Sequence, residues 1–339
     1  MNELNFDDLS KSKYAHLVKK SVYYSLGYKN FVSVSRGKMI FLEHNNFIIP
    51  IEIYKRGVIK YSIFSSEQLS LKENCDRTKK ADFLNQVSSY LRTEYRIHFV
   101  LPTKPESNFD SYPNNSIRIP FGNYLIDLTR NEDDIYNSFH KNCRKSITSA
   151  LNNNMVVKFG GLELLDDIVF MEINSSKKSK EIKDNLKIRL MFQLFPNNII
   201  IGISYYNNQP QGGAVYMYDV NICNSLYGVR SADSLNGSRN LLHWEAIKYM
   251  KSKGVQKFSF VGARIHPDLD SKYTQIQKFK ESFGPILLEG FMFKIIYNYS
   301  VYALFKLLYL IKYKTKYSDV IDQELHKWEN LQNKENRYV

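Results

Sequence analysis

Short apolar runs separated by turn residues dominate the first part of the chain. Residues 31–34 and 39–42 are rich in Val, Ile, Phe and Met, and they flank an Arg-Gly pair. Residues 47–54 and 58–64 flank a second Arg-Gly pair in the same way. Two β-prone runs around a glycine-containing turn are typical of a hairpin. The pattern therefore predicts an antiparallel meander, followed by a helix over 81–95, where apolar residues recur at helical spacing.

The second half of the chain alternates helical and strand patterns. Residues 133–151 carry an apolar stripe at four-residue steps behind an acidic start, which predicts one helix with a basic middle. Residues 199–206 and 212–218 flank an Asn-Asn-Gln-Pro turn and predict a hairpin. A helix over 241–250 ends before Gly254 and leads to a further strand. Since a weaker version of this order occurs in the first half, the sequence predicts a mixed α/β chain with two similar halves.

Charge is the feature of the composition that bears on function. The apolar fraction of 43% and the charged fraction of 24% are those of a globular protein. The formal net charge of +13 indicates an anionic partner, which would be phosphate, nucleic acid or an acidic membrane surface. A basic surface with no specific anion is the alternative.

The cysteines and the amino-terminal sequence bear on the compartment. Cys75, Cys143 and Cys223 are far apart and show neither zinc spacing nor a C-x-x-C pair. The first twenty residues are polar and lack the apolar stretch of a secretory signal. We therefore expect a cytoplasmic protein with reduced thiols.

Residues 291–317 form a stretch rich in tyrosine, lysine and apolar residues, with no acidic residue. Lys294, Asn298 and Lys306 interrupt it, so it does not match a spanning helix. The composition predicts an amphipathic helix at the bilayer interface, which would make the protein peripheral on the inner face of the plasma membrane. The alternative is a core helix whose lysines reach into water.

Several familiar chemistries have no sequence signature here. The chain contains no G-x-G-x-x-G, no P-loop, no H-E-x-x-H and no G-x-S-x-G. Its histidines are scattered, and we expect no metal site.

Seven ordered segments carry a resemblance to a known family. They are similar to the family's "R-x-x-I-x-x-A" helix with the strand before it, its "G-G-A" strand, its "Y-x-x-x-A … N-x-L-L-x-W-x-x-I" segment with the strand after it, and its "F-K-x-x-F-G" motif. Together they resemble the Fem-type aminoacyl- and peptidyltransferases, within the wider GNAT-like acyltransferases. In order, the segments are YLIDL at 124–128, FHKNCRKSI at 139–147, QGGAVY at 211–216, LYGVRS at 226–231, NLLHWEAI at 240–247, FSFVGA at 258–263 and IQKFKESFG at 276–284.

This resemblance implies two tandem GNAT-like domains with mixed, mainly antiparallel sheets flanked by helices. We expect domains at 1–123 and 124–290, followed by the amphipathic tail at 291–339. The implied activity is transfer of an aminoacyl or acyl group to an amine of a cell-envelope precursor. That precursor would be peptidoglycan or surface polysaccharide, carried on a polyprenyl lipid. The donor would be a co-substrate, either charged tRNA or acyl-coenzyme A, with no tightly bound cofactor.

The resemblance also implies roles for individual residues. Lys280 would reach the donor's reacting ester or a phosphate, and Phe279 and Arg230 would complete the catalytic set. Asp233, His266 and Asp270 are loop candidates for a general base. The residues expected to bind substrate are Tyr216, Asn240, Trp244, Gly212, Gly213, Gly262, Arg144 and Lys145.

Most of these residues also have a purely structural interpretation. Lys280 would then be a solvated lysine on a helix, Arg230 would be a surface arginine at the end of a strand, and Trp244 would belong to the core. The two glycines at 212–213 would either open a strand to the donor or flank a turn. Arg144 and its basic neighbours would either meet tRNA or pyrophosphate, or face solvent.

The donor and the class of function have alternatives of their own. Ser259 stands where relatives often have Asp, and residues 236–239 are at best a degenerate coenzyme A loop. The second departure weakens the coenzyme A interpretation and favours an aminoacyl-tRNA donor. The alternatives are an acetyl-coenzyme A-dependent N-acyltransferase acting on an amino sugar, and a non-catalytic basic module that binds membrane or nucleic acid.

Overall fold

The computed structural model describes residues 1–72, 75–174, 181–265 and 272–335. The chain divides into two compact units. The first unit comprises Met1–Val18, Val32–Gly122 and Glu289–Val339, and the second comprises Lys19–Phe31 and Asn123–Leu288. These units differ from the predicted domains in two places, because residues 19–31 join the second unit and the carboxy-terminal residues join the first.

The first unit contains a twisted sheet in the order β1-β2-β3-β4-β6-β14. Its pairs are antiparallel except for β4 and β6, which are parallel and are connected through helix α4 (Arg77–Thr93). The short strand β5 pairs with β3. The strands are β1 (Asn2–Leu4), β2 (Gly37–His44), β3 (Phe47–Arg56), β4 (Ile59–Phe64), β5 (Leu69–Ser70), β6 (Phe99–Val100) and β14 (Ile286–Ile296).

The predicted hairpin over 47–64 and the predicted helix near 81–95 are confirmed, but the first predicted hairpin is wrong. Residues 31–34 belong to a helix, α3 (Leu26–Val34), and β2 pairs with β3 around Asn45. Most of α3 belongs to the second unit, which includes Lys19–Phe31. Besides α4, the α-helices of the first unit are α1 (Phe6–Leu9), α2 (Ala15–Val18), α11 (Tyr299–Tyr313) and α12 (Val320–Glu335).

The predicted helical tail is corrected at its start. Residues 286–296 form strand β14, and only the residues from Tyr299 onward are helical. Lys294 is buried on this strand, where its ammonium group contacts Asp319, Asp322 and the Tyr302 hydroxyl. In the part of the chain that the structure describes, no helix has the length and apolar character needed to cross a bilayer.

The second unit contains a sheet in the order β8-β9-β10-β11-β12-β7. The predicted hairpin of β9 and β10 is confirmed, as is the helix α9 that ends before Gly254. The strands are β7 (Ser116–Asp127), which starts in the first unit, β8 (Val156–Gly160), β9 (Ile199–Tyr206), β10 (Gln209–Tyr218), β11 (Ile222–Arg230), β12 (Lys257–Ser259) and β13 (Ala263–Arg264), which pairs with β7.

The helix predicted over 133–151 is in fact two helices, α5 (Glu132–Asn137) and α6 (Lys141–Asn152). The chain breaks between them because the His140 amide N–H donates to the Ser282 carbonyl oxygen, 2.8 Å away. The basic residues from Lys141 onward therefore start a helix rather than lie in its middle. The remaining helices of this unit are α7 (Leu165–Asn174), α8 (Glu181–Leu194), α9 (Ser238–Ser252) and α10 (Lys272–Glu281).

The two units share one sheet topology. In the first unit, β1 to β4 pair antiparallel, and helix α4 leads to β6, which pairs parallel to β4. In the second unit, β8 to β11 pair antiparallel, and helix α9 leads to β12, which pairs parallel to β11. One more strand pairs antiparallel to the last of these, β14 to β6 and β7 to β12. The prediction of two similar α/β halves is confirmed by this repeated order.

Candidate functional site

The start of helix α9 is shaped by a glycine that no other residue could replace without strain. Gly237 precedes the helix with φ of 84°, in the left-handed region. A Cβ atom at this position would lie 2.1 Å from the carbonyl oxygen of Ser146. The close approach of α9 to α6 fixes where the first turn of α9 begins, and Arg239 belongs to that turn.

Arg239 is half-buried over strands β10 and β11. Its guanidinium carbon lies 4.3 Å from the centre of the Phe279 ring, which is a cation–π contact. Burial and the positive charge of Arg230 lower the pKa of Arg239. In the described ranges, no carboxylate forms an ion pair with this guanidinium.

Lys280 lies next to this arginine on helix α10. Its ammonium group donates to the carbonyl oxygens of Val261 and Gly262, and the second contact measures 2.7 Å. Burial, followed by the positive charge of Arg239, lowers the pKa of Lys280 to about 8. The third N–H of the ammonium group is not used by these two contacts.

The carbonyl groups that hold Lys280 come from a constrained loop. Val261 has φ of 48° and Gly262 has φ of 70°, both in the left-handed region, which is rare for a β-branched residue. The Val261 amide donates to the Ser259 hydroxyl at 3.1 Å, and the Gly262 amide donates to Asn123 at 2.6 Å. Backbone strain of this kind persists only where neighbours fix it, as they do here, and it is common at functional sites.

His243 and Tyr216 form a buried polar pair beneath the two cations. The Tyr216 hydroxyl lies 3.2 Å from Nδ1 of His243, and both side chains are buried among phenylalanine rings. Burial, with the positive charges of Arg239 and Lys280, lowers the pKa of His243 to about 3. The imidazole is therefore neutral near pH 7, and it supplies a polar but uncharged floor to the site.

These residues create a small positive site with a polar floor. The flat guanidinium of Arg239 suits phosphate or carboxylate, and the compact ammonium of Lys280 suits a developing oxyanion. A lysine whose pKa is near 8 remains mostly protonated at pH 7 and can also exchange a proton during a reaction. The arrangement therefore fits chemistry in which negative charge develops on an oxygen atom.

Among the residues predicted for the site, several lie at this location. Phe279 and Gly262 contact Arg239 and Lys280 directly, and Arg230 is close enough to affect the pKa of Arg239. Gly212 makes room for Arg239, since a Cβ atom there would lie 3.1 Å from its Cγ.

Other predicted residues have structural positions instead. Trp244 is buried against Phe139, which supports the core interpretation. The Asn240 amide group donates to the Cys143 sulfur at 3.3 Å, so it links α9 to α6. Gly213 admits the side chain of Ile168, whose Cδ1 would lie 2.4 Å from a Cβ atom there.

The basic residues of α6 line a separate open groove. Arg144 is partly committed to the protein, because it donates to the carbonyl oxygens of Asn137 and Phe139. The groove lining is Tyr136, Lys141, Arg144, Lys145, Thr148, Ser149, Asn152 and Asn153.

Two of the three candidate bases, His266 and Asp270, lie outside the described residues. The third, Asp233, is exposed in the loop before α9. Among the residues that the structure describes, no group of three His, Cys, Asp or Glu side chains could hold a metal ion.

Arg239 and His243 were not predicted as site residues. The available signal was a glycine followed by an arginine at the start of a helix, with a histidine one turn later. Sequence alone cannot show that the arginine has no acidic partner among the described residues, because that depends on packing between α9 and α10.

Comparison of the whole fold with solved structures finds similar folds. FemX superposes with a TM-score of 0.67 at 12% identity, covering 90% of this chain and 99% of FemX. A carboxy-terminal domain from Agrobacterium fabrum, assigned to a lysylphosphatidylglycerol synthetase, superposes with a TM-score of 0.53 at 12% identity, covering 90% of this chain and 96% of that domain. L-PGS from Bacillus licheniformis superposes with a TM-score of 0.51 at 12% identity, covering 83% of this chain and 90% of L-PGS. By sequence, no family model and no curated protein matches. The chain therefore has the fold of FemX, as the Fem-type motifs in its sequence predict.

Proposed function

We propose that this protein is an acyltransferase that moves an aminoacyl or acyl group onto an amine of a cell-envelope precursor. The observation that carries the proposal is that Lys280 and Arg239 lie close together and that neither cation forms an ion pair with a carboxylate among the described residues. The likeness to FemX, to the domain assigned to a lysylphosphatidylglycerol synthetase and to L-PGS supports it at the level of fold. Such a precursor would be peptidoglycan or surface polysaccharide, carried on a polyprenyl lipid.

The proposed reaction is attack of an amine nitrogen on the carbonyl carbon of an activated ester or thioester. A C–N bond forms, the C–O or C–S bond of the donor breaks, and the amine loses one proton to the leaving group or solvent. Negative charge develops on the carbonyl oxygen and then on the leaving atom. Lys280 would stabilise that charge with the N–H that the loop carbonyl groups do not use.

Arg239 would bind the donor through a phosphate. Charged tRNA and acyl-coenzyme A both carry phosphates, so this contact is common to the two donors. The uncapped start of α9 adds a favourable partial charge for an anion beside the guanidinium. We place the protein in the cytoplasm, where both donors are found, with the donor bound as a co-substrate.

Replacement of Lys280 tests the catalytic part of the proposal. Lys280→Met should lower the rate of acyl transfer by about 10²–10³-fold, the usual loss for one oxyanion contact. The matched control is Lys278→Met, which removes an exposed lysine on the same helix and should keep the wild-type rate. A wild-type rate in Lys280→Met would overturn the proposal.

The pH dependence separates two possible roles of Lys280. If the ammonium form is active, the rate should fall as the pH rises through about 8, the pKa of this group. A rate that instead rises through this region would mean that the neutral amine acts as a base. The acyl-transfer proposal would stand, but the electrostatic role would be wrong.

Thermal shift measurements would identify the donor. Acetyl-coenzyme A and a charged tRNA are added separately, and each stabilises the protein only if it binds the folded state. We expect stabilisation by charged tRNA, reduced in Arg239→Gln. Stabilisation by acetyl-coenzyme A alone would assign the N-acyltransferase activity on an amino sugar instead.

A further inference from the structure

Helix α11 has two apolar faces, and only one of them is covered by protein. Its inner face carries Tyr302 and Phe305, which pack with Phe99 and Ile59 in a hydrophobic cluster of the first unit. A surface helix normally has a polar face opposite its buried one. Here the outward face is apolar too, and its side chains are exposed.

The outward face consists of four aliphatic side chains in one stripe. At 100° per residue, these positions fall within an arc of roughly 100° around the helix. They lie about one turn apart, so they form a continuous ridge rather than scattered exposed residues. The members of this ridge are Leu304 at 46% exposure, Leu307 at 55%, Leu308 at 53% and Ile311 at 66%.

Positive charge is concentrated at the carboxy-terminal end of the ridge. Lys312, Lys314 and Lys316 are exposed there, and residues 299–318 contain no Asp or Glu. Lys306, in the middle of the helix, is instead paired with Asp322 at 2.8 Å on the protein side. Exposed positive charge, with no carboxylate partner among the described residues, therefore lies beside the apolar ridge and not beside the covered face.

We propose that helix α11 docks in the plane of an anionic lipid bilayer. The ridge would enter the acyl boundary, and the three lysines would meet the negative headgroups beside it. A second copy of the chain fits less well, because the ridge has four residues and a standard interface has about 20–30 residues on each side. The inference does not depend on the acyl-transfer site, which lies in the second unit.

Co-sedimentation with vesicles tests the docking. The full chain is mixed with vesicles of equal parts phosphatidylglycerol and phosphatidylcholine, or of phosphatidylcholine alone. The wild type should pellet with the mixed vesicles and much less with the neutral ones. The double variant Leu307→Glu with Ile311→Glu should lose about tenfold or more in binding, since it puts charge where apolar surface would be buried.

Two further variants make the result specific. Val58→Glu changes a highly exposed apolar residue in the turn between β3 and β4, away from the ridge, and should bind as the wild type does. Replacing the three lysines by glutamine should remove the preference for anionic vesicles, with a loss of about fivefold for each lysine.

Three outcomes would overturn the proposal. The first is a wild type that does not pellet with anionic vesicles. The second is equal binding of the ridge variant and Val58→Glu, which would mean general attraction of a basic protein to the vesicles. The third is absence of vesicle binding together with a concentration-dependent dimer of the wild type that the ridge variant loses, which would assign the ridge to a second copy of the chain.

Discussion

Substitution of His243 provides the most direct test of the electrostatics of the site. This imidazole is buried among aromatic rings, with two cations nearby, and its pKa is lowered from 6.5 to about 3. His243→Gln removes the titrating ring and retains a polar group that can contact the Tyr216 hydroxyl. We therefore expect the free energy of unfolding of this variant to change less between neutral and acidic pH than that of the wild type.

The sign follows from which state binds the proton. Between pH 6.5 and about 3, the unfolded chain protonates this histidine and the folded chain does not. The free energy of unfolding therefore falls as the pH decreases below 6.5. At about pH 5 the loss is roughly 2 kcal/mol, because each unit of separation between pH and the unfolded pKa contributes about 1.4 kcal/mol.

Denaturant unfolding at about pH 7.5 and pH 5 measures this difference within each protein. The wild type should lose about 2 kcal/mol more than His243→Gln between the two pH values. The matched control is His16→Gln, an exposed histidine on α2, which should lose as much as the wild type. Comparing each variant with itself at two pH values cancels any constant effect of the substitution.

Equal pH dependence in the wild type and His243→Gln would refute the reasoning. If the variant does not fold, the titration of the wild-type imidazole by NMR answers the same question. The His243 resonances should not shift between about pH 8 and pH 5. A titration midpoint near the ordinary value would mean that the imidazole is solvated and that the site is open to water.

Two other predictions concern stability. Gly284→Ala should lower the free energy of unfolding by about 2 kcal/mol more than Gly254→Ala. Both glycines have positive φ, but only at Gly284 would a Cβ atom meet backbone, 2.1 Å from the Ser138 carbonyl oxygen. Equal losses of stability in thermal unfolding would contradict this. Lys294→Met should cost about 3–5 kcal/mol because it leaves two carboxylates without their buried partner. The partly exposed Lys306→Met should cost less than about 1 kcal/mol, and denaturant unfolding of both variants checks the difference.

Local chemistry explains the elements that the sequence predicted well. The turn between β9 and β10 has Asn207 and Asn208 at φ of 47° and 61°, values that asparagine tolerates better than most residues. The end of α9 has Gly254 at φ of 77°. In both cases, the residues that determine the conformation are the ones that adopt it, so no distant contact is needed.

Distant contacts explain the elements that were missed. The run of residues 31–34 has high β propensity, yet it ends helix α3, whose Tyr28 and Phe31 pack against Phe195. The Tyr- and Lys-rich composition of residues 291–317 predicts an interfacial helix, yet residues 291–296 belong to strand β14. The ion-pair partners that bury Lys294 on this strand lie about 25 residues further on. Tertiary contacts of this kind override local propensity.

The repeated topology also indicates why the proposed chemistry belongs to one unit. In each unit the helix that follows the antiparallel strands crosses over to a parallel strand, so α4 and α9 are equivalent. Helix α4 begins with Asp76, whose carboxylate accepts from the Thr78 amide at 3.1 Å and occupies the positive end of the helix. Helix α9 begins with Gly237, has no side-chain cap, and is followed by Arg239. A carboxylate at the first helix would repel an anionic donor, whereas the second helix offers an uncapped end beside a guanidinium. The two helix starts are equivalent in topology but differ in their capping residue. The start of α4 is therefore structural, whereas the start of α9 is a candidate anion site.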